Sequence, residues 1–330
     1  MSKARDDGTP VTITRLQICT WNIISGNAWL EIGIEIKPNT LRQDQEYSVS
    51  LFADWLNRDC SITSLHDKFT DHDNVRFVFN ETAFSSSPID GYAHNGSRIS
   101  FDEDSHRTLA ILPVKTSLSE DGALNLSFKN KAHMDESPYL RVLIKSKQKS
   151  LAMIKKGIAK NTYVFDIRVN ERRNFPKRFL DTVNGQNLTY CSIEKVFCLH
   201  TVPVSFEIGF IDSAKLKNIR QLEKMALKTY LPEINAAAKK DYIITFSKDA
   251  DKSSYSFFCT FTQETIGASQ IIFAITANII CSLLFAIAGL RTGWSPQTSW
   301  YRQIPAEYWI ATLFLASIII CVIYKRRNAK

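Results

Sequence analysis

Two apolar runs near the C-terminal end, Thr265–Leu290 and Tyr308–Tyr324, contain no charged residue. The first holds 26 residues, about 39 Å as an α-helix, enough to cross a hydrocarbon core of roughly 30 Å with some tilt. The second holds 17, and Ala306 and the Lys325 stem extend it. The pattern predicts a transmembrane hairpin with helices at 265–290 and 307–324. Trp294, Trp300, Tyr301, Tyr308 and Trp309 cluster at one margin and Tyr324 lies at the other, as interfacial anchors do.

Upstream, the period changes. Trp29–Lys37 alternates, with Leu30, Ile32, Ile34 and Ile36 on one face, and predicts a strand. Val11–Ile23, Glu46–Phe52, Val75–Phe79, Thr108–Val114, Ala123–Phe128 and Tyr139–Ile144 are further strand candidates separated by polar turns. The expected head is α+β, mainly an antiparallel sandwich or open barrel with a few helices, followed by the hairpin. Ser150–Lys160 reads as a short basic helix, Thr162–Val169 and Val202–Ile211 as strands, and Ser213–Tyr230 as an amphipathic helix. Asp241–Lys248 and Ser253–Gln263 resemble a strand hairpin running into the first apolar run. The expected organisation is a β-rich acidic domain at 1–144, a basic coupling region at 145–263, and the hairpin with its basic tail at 264–330.

Charge sharpens this division. Residues 1–144 carry 14 Lys/Arg against 20 Asp/Glu, whereas residues 145–260 carry 21 against 11. The N-terminus is polar with no apolar segment after it, and Lys325, Arg326, Arg327 and Lys330 follow the second run. By the positive-inside rule both termini are expected to be cytoplasmic, in a multi-pass protein of the cell inner membrane. The seven cysteines show no zinc-ligand spacing and read as reduced thiols.

The densest basic stretch supplies the candidate ligand site: Lys145, Lys147, Lys149, Lys155, Lys156, Arg168, Arg172, Arg173, Lys177 and Arg178, with Tyr163, Phe165 and Phe175 interleaved. Clustered cations attract phosphates and aromatic rings stack on bases, so a nucleic acid or nucleotide is the expected ligand. A solvated face, attraction to lipid headgroups, and pairing with the acidic N-terminal part are the competing readings. On a helical projection of the first run, Gln270, Ala274, Asn278 and Cys281 share a face opposite Ile271, Ile275, Ile279 and Leu283. Such a face either packs against another helix or lines a pore in an oligomer. His66–Asp73 and Asp102–His106 contain metal-capable groups at spacings that match no familiar site, and no phosphate-loop, nucleophile-elbow or zinc-protease motif occurs. No metal, cofactor or catalytic residue is expected.

The layout resembles the two-transmembrane-helix effectors of bacterial anti-phage (abortive infection) defence systems. That resemblance implies antiviral defence by a homo-oligomer, such as a tetramer, forming a pore or ion channel in the lipid bilayer. A nucleotide or oligonucleotide on the head would gate it, with a nucleotidyltransferase or reverse transcriptase as partner. The alternative is a membrane-anchored, non-enzymatic binding or scaffold protein.

Overall fold

The computed structural model describes residues 2–3, 11–22, 28–79, 81–101, 107–119, 122–146, 151–157, 159–233, 241–265, 268–291, 309–310 and 312–313. The chain divides into two compact units, Met1–Gln263 and Glu264–Lys330.

In the first unit the strands are, in order, β1 (Ser2–Lys3), β2 (Thr12–Trp21), β3 (Trp29–Ile36), β4 (Glu46–Phe52), β5 (Ser61–Ser64), β6 (Ser85–Pro88) and β7 (Ser97–Ser100). There follow β8 (Thr108–Ile111), β9 (Lys115–Leu118), β10 (Ala123–Lys129), β11 (Ser137–Lys145), β12 (Met153–Lys156) and β13 (Lys160–Val169). The last are β14 (Leu188–Thr189), β15 (Ser192–Pro203), β16 (Phe206–Ile211), β17 (Leu216–Gln221), β18 (Tyr242–Ala250) and β19 (Tyr255–Glu264). Helices α1 (His72–Phe79), α2 (Lys177–Gly185) and α3 (Lys224–Tyr230) belong to this unit, and α4 (Ala268–Arg291) belongs to the second.

A central sheet runs β17-β18-β15-β2-β3-β11-β8-β7-β6, with β5 also paired to β11. It joins strands from both sides of position 144: β17, β18 and β15 lie at one end and the earlier strands continue from β2. It is a mixed sheet: β2 and β15 are parallel, as are β8 and β11, while the remaining pairings are antiparallel. Both faces of its middle are covered, as parallel strands require. One face presents Leu16, Ile18, Leu30, Ile32, Leu140 and Val142 to two smaller sheets. These are β14-β1-β4-β10-β9, which contributes Val49, Leu124 and Leu126, and β12-β13-β19-β16, which contributes Tyr255 and Phe257. On the other face Cys19, Trp21, Phe197 and Leu199 meet Phe69, Val75, Phe79, Leu227 and Tyr230 from α1, α3 and the 3-10 turn His66–Thr70. The unit is thus layered as helices, a wide sheet and two outer sheets, which corrects the expected simple antiparallel sandwich or open barrel.

Buried charge ties the helical layer down. Glu31 is fully buried and Arg141 is 4% exposed. Arg141 Nε donates to Glu31 Oε2 at 2.9 Å and to the Tyr230 hydroxyl at 2.8 Å, and its Nη2 also meets Glu31. Trp21 Nε1 donates to Glu31 Oε1 at 2.8 Å, and the Tyr230 hydroxyl donates to Oε2 at 2.9 Å. Arg141 Nη1 reaches Gln17 Oε1 at 3.1 Å and the Tyr139 hydroxyl at 2.9 Å, and that hydroxyl donates to Gln17 Oε1 at 2.6 Å. Every charged atom of the pair therefore finds a partner, the condition under which buried polar groups are tolerated.

Several local expectations give way to tertiary pairing. Val75–Phe79, expected as a strand, lies in α1. Ser150–Lys160, expected as a helix, contains the edge strand β12. Ser213–Tyr230, expected as one helix, is split into β17, which pairs with β18, and the short α3.

The membrane assignment is corrected as well. Among the described residues no helix is long and apolar enough to cross a membrane. Of the second run only Trp309, Ile310, Thr312 and Leu313 are described, so no helical hairpin is defined. The transmembrane hairpin, the multi-pass inner-membrane location and the ion-channel assignment fall with it. Within α4, Cys281 and Ala288 are buried, Ala277 is half-buried and Asn278 is exposed. Ala274 is exposed with Phe273, Ile275, Ile279 and Leu283. The side chain of Gln270 lies outside the described residues.

Candidate functional site

A cavity of about 520 Å³ opens between the central sheet and the two outer sheets. Its floor is the even-numbered side of β2 with its partner on β3: Leu16, Ile18, Thr20, Leu30 and Ile32. One wall is β4 and the turn after it, Val49–Leu56, including Trp55; the other is β13 from Phe165 to Val169. Residues 170–193 close the end. There Phe52, Phe175 and Phe179 form a cluster with ring centroids 5.3–6.0 Å apart, and Tyr190 lies 6.1 Å from Phe175. The period-2 pattern that builds the strands also builds the floor, because alternate residues of a strand face the same side, here Leu16, Ile18 and Thr20 of β2 and Leu30 and Ile32 of β3.

The rim is charged but nearly self-neutralised. Arg178 Nη2 donates to Asp54 Oδ1 at 2.9 Å, Arg168 Nη2 to Asp166 Oδ2 at 2.8 Å, and Arg173 Nε to Glu171 Oε1 at 2.8 Å. Arg172 also lines the cavity, with its guanidinium 4.3 Å above the ring of Tyr190. Among the described residues Arg172 has no carboxylate partner.

This arrangement revises the basic stretch. Lys145 pairs with Glu233 and stacks 4.5 Å over Trp29, while Lys147 and Lys149 lie outside the described residues. Lys155 and Lys156 stand exposed on the edge strand β12, and Lys177 begins α2. Only Arg168 and Arg172 of the ten line the cavity. The sequence reading missed the floor residues and Trp55, Phe179 and Tyr190, whose apolar pattern is that of any core strand or helix face. Of the two histidine clusters, His66 Nδ1 lies 3.0 Å from Ser64 Oγ, and Asp102–His106 falls outside the described residues. Among the described residues no group of His, Cys, Asp and Glu could hold a metal ion.

No protein-family model matches the chain, and no curated protein matches it at a significant level. The cavity must therefore be read from its own chemistry.

Behind Thr20 sits a buried histidine. His200 Nδ1 lies 2.8 Å from Thr20 Oγ1, its Nε2 is 3.4 Å from Cys198 Sγ, and its ring packs 4.8 Å from Phe165. Burial depresses its pKa from 6.5 to about 3, and burial likewise raises Cys259 to about 12. The thiols are thus held protonated, as inert packing groups. The unfolded chain takes up a proton near pH 6.5 that the folded chain refuses until about pH 3. His200 thus contributes stability that is complete above pH 6.5 and is lost as pH falls toward 3. The expected slope is up to about 1.4 kcal/mol per pH unit. Urea unfolding at a series of pH values should show that slope in the wild type, and a shallower one in His200→Gln.

Proposed function

We propose that this chain is a non-enzymatic binding protein whose β-rich unit takes up a small ligand in the cavity between its sheets. The observation that carries this reading is the cavity itself: about 520 Å³, lined mainly by aliphatic and aromatic side chains, with its charged groups at the rim. Binding sites for small molecules have this size and lining. The three rim carboxylates are each tied to a guanidinium, an arrangement suited to holding a shape around a ligand rather than to transferring protons. The resemblance to defence effectors rested on a membrane hairpin, and with the hairpin corrected it lends the cavity no particular ligand.

An environment-sensitive apolar fluorophore should bind the native chain saturably, at one site. Ile32→Phe, which extends a ring into the void, is expected to weaken that binding roughly tenfold. It should leave the melting temperature within a few degrees of wild type, because the added volume fills space instead of displacing neighbours. Unsaturable binding, or binding indifferent to Ile32→Phe, would sink the reading.

A further inference from the structure

Resting on the cavity reading, we infer that the ligand is an amphipathic anion with a single acidic head, its apolar body on the β2–β3 floor and that head on Arg172. The rim holds Arg168, Arg172 and three carboxylates, Asp54, Asp166 and Glu171, and two further arginines, Arg173 and Arg178, pair with Glu171 and Asp54 from beside it. Three close pairs leave one guanidinium over. It is not loose: the Tyr190 ring supports it from one side at 4.3 Å, and Tyr190 itself lines the cavity. A stacked guanidinium keeps its N–H edge free, and that edge matches the two oxygens of a carboxylate or a phosphomonoester.

Inward from Arg172 the path is hydrocarbon. The ring of Phe175 joins Tyr190 to Phe52 and Phe179, and Ile18 and Ile32 form the floor beyond. A ligand bearing many phosphates finds only one uncommitted guanidinium here, whereas nucleic-acid interfaces gather several unpaired cations along one track. The mouth therefore selects one acidic head group followed by an apolar body.

Calorimetry of the full chain with three alkyl ligands of equal chain length tests this: a carboxylate, its alcohol and its trimethylammonium analogue, with the alkyl phosphate as a second acidic head. In the wild type the carboxylate should bind about tenfold more tightly than the alcohol, and the ammonium compound more weakly than either. Arg172→Gln should erase the preference for the acid while leaving alcohol affinity and melting temperature unchanged, which separates recognition from folding. Arg172→Lys should restore part of it. An alkyl phosphate bound in preference to the carboxylate would identify a phosphomonoester as the head, within the same assignment. Equal binding of acid and alcohol by the wild type would overturn the anionic head and leave the cavity reading standing. Tighter binding of a short oligonucleotide than of any alkyl acid would also overturn it. No binding of any alkyl ligand would overturn the cavity reading itself.

Discussion

Arg141→Met is expected to lower the free energy of unfolding by about 3–5 kcal/mol, read as a fall in the urea midpoint at unchanged slope. The magnitude comes from what the substitution leaves behind. Glu31 lies fully buried, and Arg141 is the cation paired with its carboxylate. Removing the guanidinium strands a negative charge where water cannot reach it, and also takes donors from Gln17 and from the Tyr139 and Tyr230 hydroxyls. Adding Glu31→Gln should recover half or more of the loss. The amide oxygen can still accept from Trp21 Nε1 while the amide NH2 donates to the Tyr230 hydroxyl, and no net charge remains buried. If the double variant proves as unstable as the single one, the stranded charge is not the cause, and the lost packing of the arginine stem is.

The same network shows which part of the fold could be read from the chain. Leu30, Ile32, Ile34 and Ile36 alternate, and they lie on one face of β3. The alternation also casts Glu31 and Glu35 as solvent-facing, yet both are buried, because α1 and α3 cover that side of the sheet. Nothing local to β3 reveals this. The neutralising Arg141 lies 110 residues away, and Tyr230, which closes the network, lies 199 away. Short apolar runs failed for a related reason: Val75–Phe79 suits a strand or one helical turn equally well, and its packing against Phe69 and Tyr139 selects the helix. In Ser213–Tyr230, helical spacing lost to the ladder with β18, an interaction invisible in any window of that length.

The candidate site was legible only at its rim. Arg168, Arg172, Arg173 and Arg178 stand out in a basic stretch, but a count of charges cannot show that Asp54, 124 residues away, neutralises Arg178. Asp166 and Glu171, two residues from their partners Arg168 and Arg173, change the net charge of the stretch little, whereas in space they annul two of the four guanidinium groups. The cavity is assembled from β2, β3, β4, β13 and the segment at Tyr190. Each looks like ordinary core until their separation is known.

Gly33→Ala is the second substitution with a large expected effect, about 3 kcal/mol or more, and its cause is space. Gly33 has no positive φ, so its backbone would admit any residue. A Cβ there, however, would lie 2.3 Å from the Tyr139 hydroxyl oxygen, 2.9 Å from Gln17 Oε1 and 3.0 Å from Arg141 Nη1. The glycine is the gap through which these three groups meet across the sheet, opposite Gln17 on β2 and Arg141 on β11. Alanine imposes the strain of overpacking and breaks hydrogen bonds at once, and each effect costs about 1–3 kcal/mol. Tyr139→Phe removes the nearest obstructing atom while leaving Gln17 and Arg141 bonded to each other at 3.1 Å, and alone it should cost only about 1 kcal/mol. Combined with Gly33→Ala it should relieve part of the clash, so that the double variant is more stable than the sum of the singles predicts. Chemical denaturation of the four proteins in the cycle measures this coupling directly. Strict additivity would mean that the hydroxyl does not fill the space a side chain at 33 would need, and that the sheet yields there by moving backbone instead.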